Sequence, residues 1–285
     1  MNRVPYAFTE AVCLVSTTFQ TKNVINIATL SGNFCVCGEA LIEKGNDRRF
    51  FFRDGGYLED RRNIHSQVDW TNWNSLNEDR FTFSKVLVFD KLNHSQELVK
   101  KVASLPGRLG LQLSTPTLSD EWIQLFSSWT HLTSLIITTE SSESLKTLVR
   151  NVANGGHLLL LNVNFTLDDD CLDIFDSLCK QPQFRTLIVP EFSPRLLASF
   201  LAKDPSNYTK ILTFLQRVRK SQFQVLGRGE MHRFDAHILV AYSEKIAVLF
   251  RNVNGKKETP ETEYMRGVTE VQIQFLHKPM VTLGV

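Results

Sequence analysis

Residues 132–137 read Leu-Thr-Ser-Leu-Ile-Ile, and this apolar-x-x-apolar-x-apolar order recurs through the middle of the chain. Four of five aligned segments follow the order throughout, and the segment that begins at Arg108 departs from it at that first position. The second apolar residues of successive segments lie 24 to 26 residues apart, which indicates a structural repeat. The five segments begin at Phe83, Arg108, Leu132, Leu158 and Phe184.

Each segment alternates apolar residues with others, as a half-buried strand does, and a stretch with helical spacing follows it. The helical spacing is clearest after the third segment, where apolar residues fall at i, i+3, i+4 and i+7: Leu145, Leu148, Val149 and Val152. Residues 81–204 are therefore predicted to form a short, irregular, leucine-rich-repeat-like array of β-α units, which is an α/β fold.

An open α/β sheet of the doubly wound kind is the alternative for the same succession of strands and helices. Its strands would be covered on both faces and would be almost continuously apolar, whereas these strands alternate. A nucleotide-binding sheet would also carry a glycine-rich turn after its first strand, and the sequence has none there. We favour the repeat array and retain the doubly wound sheet as the alternative.

Local signals also mark where helices begin. Asn93 and Gln96 have the spacing of a capping box, and the acidic run Asp168–Asp170 suits the positive end of a helix. Ser193 before Pro194 combines a favoured N-cap with a proline that the first helical turn tolerates. Helices are expected to start at these three places.

A module on each side of the array completes the predicted organisation. Residues 1–80 are expected to hold a short N-terminal helix and a β-rich module, and residues 205–285 an α+β module made of a helix and antiparallel strands. The loop 254–266 is hydrophilic and is expected to be exposed. The predicted elements are strands at 26–30, 34–43 and 49–53 with a turn at 54–56, a helix at 207–222, and strands at 223–226, 237–242, 246–253 and 268–276.

Charge and cysteine content limit the classes of function. The net charge is +2, and an excess of basic residues occurs only in residues 209–285, with twelve Lys and Arg against seven Asp and Glu. Nucleic-acid binders concentrate such residues in a patch, so we do not expect a nucleic-acid partner. Five cysteines without a secretory signal or a membrane-spanning segment indicate reduced thiols in the cytoplasm or nucleus.

Candidates for chemistry are few. Cys35 and Cys37 would face the same side of a strand, but zinc needs two further ligands, so we interpret them as buried small residues. Asp168–Asp170 lacks the interleaved pattern of a calcium loop and is interpreted as a solvated helix start. His232 and His237 lack an identified nucleophile nearby in the sequence. We expect no catalytic residue, no metal and no cofactor.

Stacked repeats would align the residues between the buried positions into rows on one sheet face. Only Lys85 among the fifteen residues of these rows is charged, which is typical of the core of a protein interface. We therefore predict a protein or peptide partner on this face, with coverage of the face by a flanking module as the alternative. The predicted binding residues are Leu87, Phe89, Gln112, Ser114, Ile136, Thr138, Asn162, Asn164 and Ile188.

Three features resemble a large, poorly characterised nematode-restricted family that is loosely associated with F-box proteins. They are Val4-Pro5 followed by a short helical stretch, the run Cys35-Val-Cys-Gly-Glu-Ala40 leading to Arg49-Phe-Phe-Phe52, and the leucine-rich middle. The resemblance implies a leucine-rich-repeat-like fold and no defined catalytic residues. An F-box would begin with Leu-Pro and continue as a much longer helical segment, so a link to a ubiquitin-ligase adaptor through this N-terminus is not expected.

The sequence thus predicts a non-enzymatic recognition or adaptor protein that uses a sheet face built by repeats. The alternative is a small enzyme, similar to a hydrolase, with a non-standard site at a domain junction near Asp168 or His232.

Overall fold

The computed structural model describes residues 9, 13, 26–53, 55–63, 82–201, 210–215, 231–233, 238–242, 246–256 and 258–275. The chain divides into two units, Met1–Thr115 and Pro116–Val285. The fold is of the predicted α/β class, with strands that alternate with helices through most of the described chain. The division into 1–80, 81–204 and 205–285 and the leucine-rich-repeat assignment both stay predictions.

The first unit contains a four-stranded sheet with the strand order β2-β1-β3-β4. β1 pairs with β2 in antiparallel fashion, whereas β1 with β3 and β3 with β4 are parallel pairs. The elements are α1 (Asn33–Lys44), β1 (Asn46–Arg53), β2 (Gly56–Asn63), β3 (Thr82–Phe89), α2 (Gln96–Ala103) and β4 (Arg108–Leu113).

The helix α1 occupies the stretch 34–43 that the sequence predicts as a strand, so that prediction is wrong, and residues 26–28 are helical as well. Helical spacing explains the difference, because Cys37 and Leu41 are four residues apart and both are buried. Gly38 lets the neighbouring backbone approach, since a Cβ there would lie 2.5 Å from the backbone nitrogen of Ala28. In a helix Cys35 and Cys37 point in different directions, and Cys35 is only half-buried.

Aromatic and aliphatic side chains of β1 and β3 pack against each other in the middle of the first sheet. Phe50 and Phe52 of β1 are in register with Leu87 and Phe89 of β3, and all four side chains are buried. The rings of Phe52 and Phe89 stack with their centroids 4.5 Å apart. Burial of four large apolar side chains on one face stabilises this part of the sheet.

A β-bulge at Phe83 changes the register of β3. Asn46 of β1 pairs with Thr82, but the next residue pairs with Ser84, so Phe83 is the extra residue and packs against the cluster of Cys37 and Leu41. Beyond the bulge Leu87, not Val86, is in register with Leu111 of β4. The alignment of the first repeat segment is therefore wrong by one residue.

The second unit contains strands β5 to β12. No helix of the described residues is long and apolar enough to cross a membrane. The elements are α3 (Asp120–Ser127), β5 (Leu132–Ile137), α4 (Glu143–Asn154), β6 (Leu160–Val163), α5 (Asp169–Lys180), β7 (Thr186–Val189), α6 (Pro194–Leu201), β8 (Ile211–Phe214), β9 (Met231–Arg233), β10 (Ile238–Tyr242), β11 (Ile246–Arg251), α7 (Glu261–Arg266) and β12 (Glu270–Phe275).

The strands β5, β6, β7 and β8 are parallel and lie side by side in chain order. A doubly wound sheet requires a point where the order reverses, and these four strands have none. Right-handed crossovers in an unreversed order place α4, α5 and α6 on one face. Burial agrees with this, because alternate residues such as Leu135, Leu161 and Leu187 are fully buried while their neighbours along each strand are half-exposed.

An antiparallel sheet continues from β8 in the order β8-β12-β11-β10-β9. The strands predicted at 237–242, 246–253 and 268–276 are confirmed to within two residues at either end, whereas 223–226 lies outside the described residues. The helix predicted over 207–222 is wrong at Ile211–Phe214, because that segment pairs with β7 and β12 as β8.

The loop predicted at 254–266 contains the helix α7. Its Tyr264 is fully buried, and the Tyr264 hydroxyl donates a hydrogen bond to the carbonyl oxygen of Phe250. The buried amide of Asn252 donates to the Tyr264 carbonyl oxygen at 2.8 Å. One tyrosine within a hydrophilic stretch is a weak sequence signal, which is why the helix was not predicted.

Two of the three predicted helix starts are confirmed. The Asp168 carboxylate accepts a hydrogen bond from the backbone N–H of Cys171 at 2.8 Å, and the Ser193 hydroxyl accepts one from Leu196 at 3.3 Å. The prediction at Asn93 is wrong, because α2 begins at Gln96 with Ser95 as its N-cap.

The turn before β4 depends on a glycine. Gly107 has a φ of 97°, and a Cβ there would lie 2.8 Å from the Cγ2 atom of Thr82. We expect Gly107→Ala to lower the free energy of unfolding by about 1 to 3 kcal/mol, because backbone strain and this contact add. Gly56→Ala is the control, since a Cβ there meets nothing within 4 Å. Equal urea midpoints for the two variants would contradict the prediction.

Candidate functional site

Six strands of the second unit align their outward residues into two rows. The strands are β5, β6, β7, β8, β12 and β11, and each contributes one residue to each row. We call these twelve residues the neutral face. The first row is Ser134, Leu160, Thr186, Ile211, Gln274 and Ala247, and the second row is Ile136, Asn162, Ile188, Thr213, Gln272 and Leu249.

The neutral face has no ionisable side chain, and half of its residues are apolar. Ten of the twelve residues are half-buried, and the other two, Thr213 and Ala247, are buried. Residues on the opposite side of the same strands, such as Leu161, Leu187 and Leu212, are fully buried. A partly accessible surface that mixes aliphatic side chains with amides and hydroxyls has the chemistry of an interface core.

Apolar and polar residues alternate diagonally across the four parallel strands of the neutral face. The apolar residues follow a zigzag line, because they lie in the second row on β5 and β7 and in the first row on β6 and β8. Hydroxyl and amide groups occupy the complementary positions. The apolar line is Ile136, Leu160, Ile188 and Ile211, and the polar line is Ser134, Asn162, Thr186 and Thr213.

An ion pair lies at one border of this surface, and at another His232 of β9 continues the second row beyond Val240 of β10. Arg251 of β11 pairs with Glu270 of β12, next along the strands from Leu249 and Gln272, and the two side chains form an ion pair of 3.4 Å. Because the pair is mutually neutralised, the border adds little net charge to the face.

Five of the predicted binding residues belong to the second unit. Ile136, Asn162 and Ile188 lie side by side on β5, β6 and β7, as the repeat alignment predicts. Thr138 and Asn164 follow the ends of β5 and β6 and are exposed. These placements concern position only, and the binding role of the residues stays a prediction.

The other four predicted residues belong to the first unit, and two of them are placed wrongly. Leu87 and Phe89 are fully buried because the bulge at Phe83 reverses the side on which they lie. Gln112 of β4 is half-buried and pairs with Val88 of β3. The backbone N–H of Ser114 donates to the Phe89 carbonyl oxygen at 2.9 Å. The predicted surface is therefore retained only for the second unit.

The residues of the neutral face on β8, β12 and β11 were not predicted. The sequence contains a signal for β12, where Gln272 and Gln274 alternate with Val271 and Ile273. What it could not reveal is that β12 inserts between β8 and β11, because that neighbour relation joins residues about sixty positions apart in the chain.

The acidic run Asp168–Asp170 at the start of α5 forms ion pairs with side chains of the neighbouring helices. The Lys146 ammonium, on α4, donates to the Asp168 carboxylate at 2.5 Å and to Glu143 at 3.2 Å. The hydrogen bond from Lys146 has the largest effect on the pKa of Asp168, and the bond from the Cys171 backbone N–H has the next largest. Together they lower this pKa to about 2. Asp170 lies 3.8 Å from Arg150 of α4. The carboxylates therefore have cationic partners instead of forming an open metal site.

An open groove of about 250 Å³ lies between α4 and α5. Asp170 and Asp173 line it, and Arg195 of α6 forms ion pairs with Asp173 and with Asp169, the latter at 3.6 Å. Ion pairs of this kind between exposed groups contribute little stability individually. The groove is thus the polar seam of the helix layer, lined by Arg150, Ala153, Asn154, Asp170, Asp173, Ile174 and Ser177.

The remaining candidates for chemistry are structural or lie outside the described residues. Cys171 and Cys179 are buried, and burial raises the pKa of each thiol to about 12. His232 lies on β9 opposite Val240, and His237 is not among the described residues. Within the part of the chain that the structure describes, no group of three His, Cys, Asp or Glu side chains could hold a metal ion.

Comparison of the chain with protein-family models, with curated proteins and with solved structures finds no match. The resemblance to the nematode family therefore stays an expectation from the sequence.

A group of charged side chains in the first unit is buried at Arg48 and Lys85 and half-buried at Glu59 and Arg61. Arg48 and Arg61 both donate through Nε to one oxygen of Glu59, the Arg48 bond being 2.7 Å. Lys85 is in register with Arg48, is 1% exposed, and donates to the carbonyl oxygen of Leu105. Burial, together with the neighbouring Arg48 guanidinium, lowers the pKa of Lys85 to about 8.

This pKa makes stability depend on pH. Below pH 8 the lysine is protonated in both states, so the folded state bears the full cost of the buried charge. Between pH 8 and 10.5 only the unfolded chain retains the proton, and the free energy of unfolding should rise. We expect wild type to gain stability relative to Lys85→Met from pH 7 to pH 10, measured by urea unfolding. The comparison cancels the titration of other groups, and a difference that does not change with pH would contradict it.

The Asp168–Lys146 bond also makes stability rise with pH, but in the acidic range. We expect Asp168→Asn to lower the free energy of unfolding at pH 7, because asparagine can still cap α5 but leaves the buried ammonium with one carboxylate fewer. The deficit should be full above pH 3.8 and should vanish as the pH falls through about 2, where Asp168 is protonated. Asp168→Ala, which also removes the cap, should cost about 1 kcal/mol more. Identical unfolding curves at pH 7 for wild type and Asp168→Asn would refute this account.

Proposed function

We propose that this protein is a non-enzymatic recognition or adaptor protein that binds a protein or peptide through the neutral face of its second unit. The observation that carries the proposal is that twelve adjacent, mostly half-buried positions on six strands include no ionisable side chain. Interface cores are depleted in charge in the same way, whereas a phosphate-binding groove would offer Lys or Arg.

The free cysteines support a place of action in the cytoplasm or nucleus. All five are free, and Cys13, Cys37, Cys171 and Cys179 are buried. Reduced, buried thiols suit a reducing compartment. The helix-capping use of Asp168 gives the hydrolase alternative no support from that residue.

The proposal predicts that charge placed on the neutral face removes a partner. The double variant Ile136→Arg with Asn162→Arg puts two like charges on neighbouring strands, where they cannot pair with each other, and burying an unpaired charge in an interface is costly. We expect the amount of one or more proteins captured from cell extract to be at least tenfold lower for the variant than for wild type, measured by quantitative mass spectrometry.

Asn151→Arg is the matched control, because Asn151 is an exposed residue of α4 on the helix side. It should capture the same proteins as wild type. Thermal unfolding of each variant verifies that the fold is intact. If the folded double variant and wild type retain the same partners in the same amounts, the neutral face is not the binding surface.

A further inference from the structure

We infer that Lys85, a buried lysine of the first unit, reacts reversibly with carbon dioxide to form a carbamate beside the guanidinium group of Arg48. This modification site goes beyond the proposed function and is independent of it, since the neutral face belongs to the second unit. The observations that carry the inference are the burial of the Lys85 amine, the acceptor it has and the cation in register with it.

The Lys85 ammonium group is buried without an anionic partner. Lys85 is 1% exposed and lies on the same side of β3 as the buried Leu87. Its Nζ donates to the carbonyl oxygen of Leu105, which is a neutral acceptor. Among the residues that the structure describes, no carboxylate forms an ion pair with Lys85. A buried charge is costly unless it is paired, so the protonated form of this lysine is unfavourable in the folded state.

A second cation lies next to Lys85 on the same side of the sheet. Arg48 of β1 is in register with Lys85 and is also buried, and neighbouring strands are about 4.8 Å apart. The carboxylate of Glu59 on β2 accepts hydrogen bonds from Arg48 and Arg61. Arginine keeps its charge, so Lys85 is the group that gives up a proton. Burial and then the Arg48 guanidinium lower the pKa of Lys85 to about 8, which leaves about one amine in ten neutral at pH 7.

A neutral amine in this position can attack carbon dioxide. The nitrogen lone pair forms a C–N bond to the carbon atom, and the electron pair of one C=O bond moves to its oxygen. The nitrogen then loses a proton to solvent, which leaves a carbamate anion and requires no oxidant or reductant. Counted from the ammonium form, the reaction releases two protons and converts the side chain from a cation to an anion.

The carbamate matches the surroundings of Lys85 better than the ammonium group does. Its nitrogen retains one hydrogen, which can still be donated to the Leu105 carbonyl oxygen. Its carboxylate group lies next to Arg48, and guanidinium groups bind carboxylates through charge-assisted hydrogen bonds. The reaction therefore replaces a repulsive pair of cations by an attractive ion pair.

Carbon dioxide can reach this buried amine because it is small and uncharged. Leu105 lies between α2 and β4, just before the turn at Gly107. Connecting segments of this kind open locally far more often than the whole fold unfolds. A brief opening at Leu105 is enough to admit carbon dioxide to Lys85, and reclosure shields the carbamate from water.

Trapping of the carbamate on the full chain tests the inference. The protein is equilibrated near neutral pH with isotopically labelled carbon dioxide and treated with triethyloxonium ion, which converts a labile carbamate into a stable ethyl ester. Proteolysis and mass spectrometry then locate the label. We expect the labelled fraction of Lys85 to be at least tenfold above that of Lys91 and Lys100, two exposed lysines of the same unit that report the reaction of surface amines.

Two arginine variants separate the role of Arg48 from a general effect of charge. We expect Arg48→Gln to lower the labelled fraction of Lys85 at least fivefold, because it removes both the repulsion that favours the neutral amine and the cation that stabilises the carbamate. Arg62→Gln is the matched control, since Arg62 is exposed and is in register with Asp47 on the other side of the sheet. Lys85 should be labelled in this control as it is in wild type. Thermal unfolding verifies that each variant is folded.

A measurement on wild type alone remains decisive if Arg48→Gln does not fold. In guanidinium chloride the unfolded chain exposes every lysine to water, so the labelled fraction of Lys85 should fall to that of Lys91. A Lys85 that is unlabelled in the folded protein, or labelled only as much as Lys91, would overturn the inference. Equal labelling of Lys85 in the folded and unfolded chains, or in wild type and folded Arg48→Gln, would overturn it as well. The capture of partner proteins decides the proposed function separately.

Discussion

The unreversed order of β5, β6, β7 and β8 is the constraint on which the second unit depends. Because each crossover is right-handed, the helices between these strands collect on one face. Every second strand residue is then buried beneath that layer, as for Leu135 and Leu187, while the residues between them are left on the other side. A sheet covered on one face must present its second face to solvent, to another segment or to a partner, so the strand order creates the neutral face.

Two buried lysines fix the helix layer by holding the two ends of α5. Lys146 from α4 bonds to the Asp168 carboxylate at the start of the helix, and Lys210, just before β8, donates to the carbonyl oxygens of Cys179 at 2.8 Å and Gln181 at 3.1 Å at its end. A cation at a helix C-terminus is favourable because carbonyl groups there lack intrahelical partners. Each lysine therefore stabilises the attachment of α5 to a neighbouring segment of the array.

Sequence reasoning predicted the alternation of strands and helices, and it placed Ile136, Asn162 and Ile188 side by side, because periodicity is a local property that the residues themselves display. It failed where a long-range relation decided the outcome. The bulge at Phe83 places Leu87 on the buried side, and a bulge leaves no mark in an apolar pattern. The segment Ile211–Phe214 is a strand because β7 and β12 flank it, although the sequence over 207–222 predicts a helix. The contribution of Gln272 to the neutral face likewise depends on strand insertion.

In the second unit the helix layer contains several ion pairs, whereas the twelve residues of the neutral face carry no charge. Ion pairs such as Arg150–Asp170 and Lys146–Asp168 occupy the helix layer, where water and neighbouring helices satisfy them. The sheet side offers amides and hydroxyls among aliphatic residues, whose desolvation costs far less than that of a charge. A surface of this kind gains its favourable free energy from apolar contact and discriminates through hydrogen bonds, because an unmatched amide such as that of Asn162 would be left without a partner. Selectivity on the neutral face would therefore come from the polar line, and most of the affinity from the apolar one.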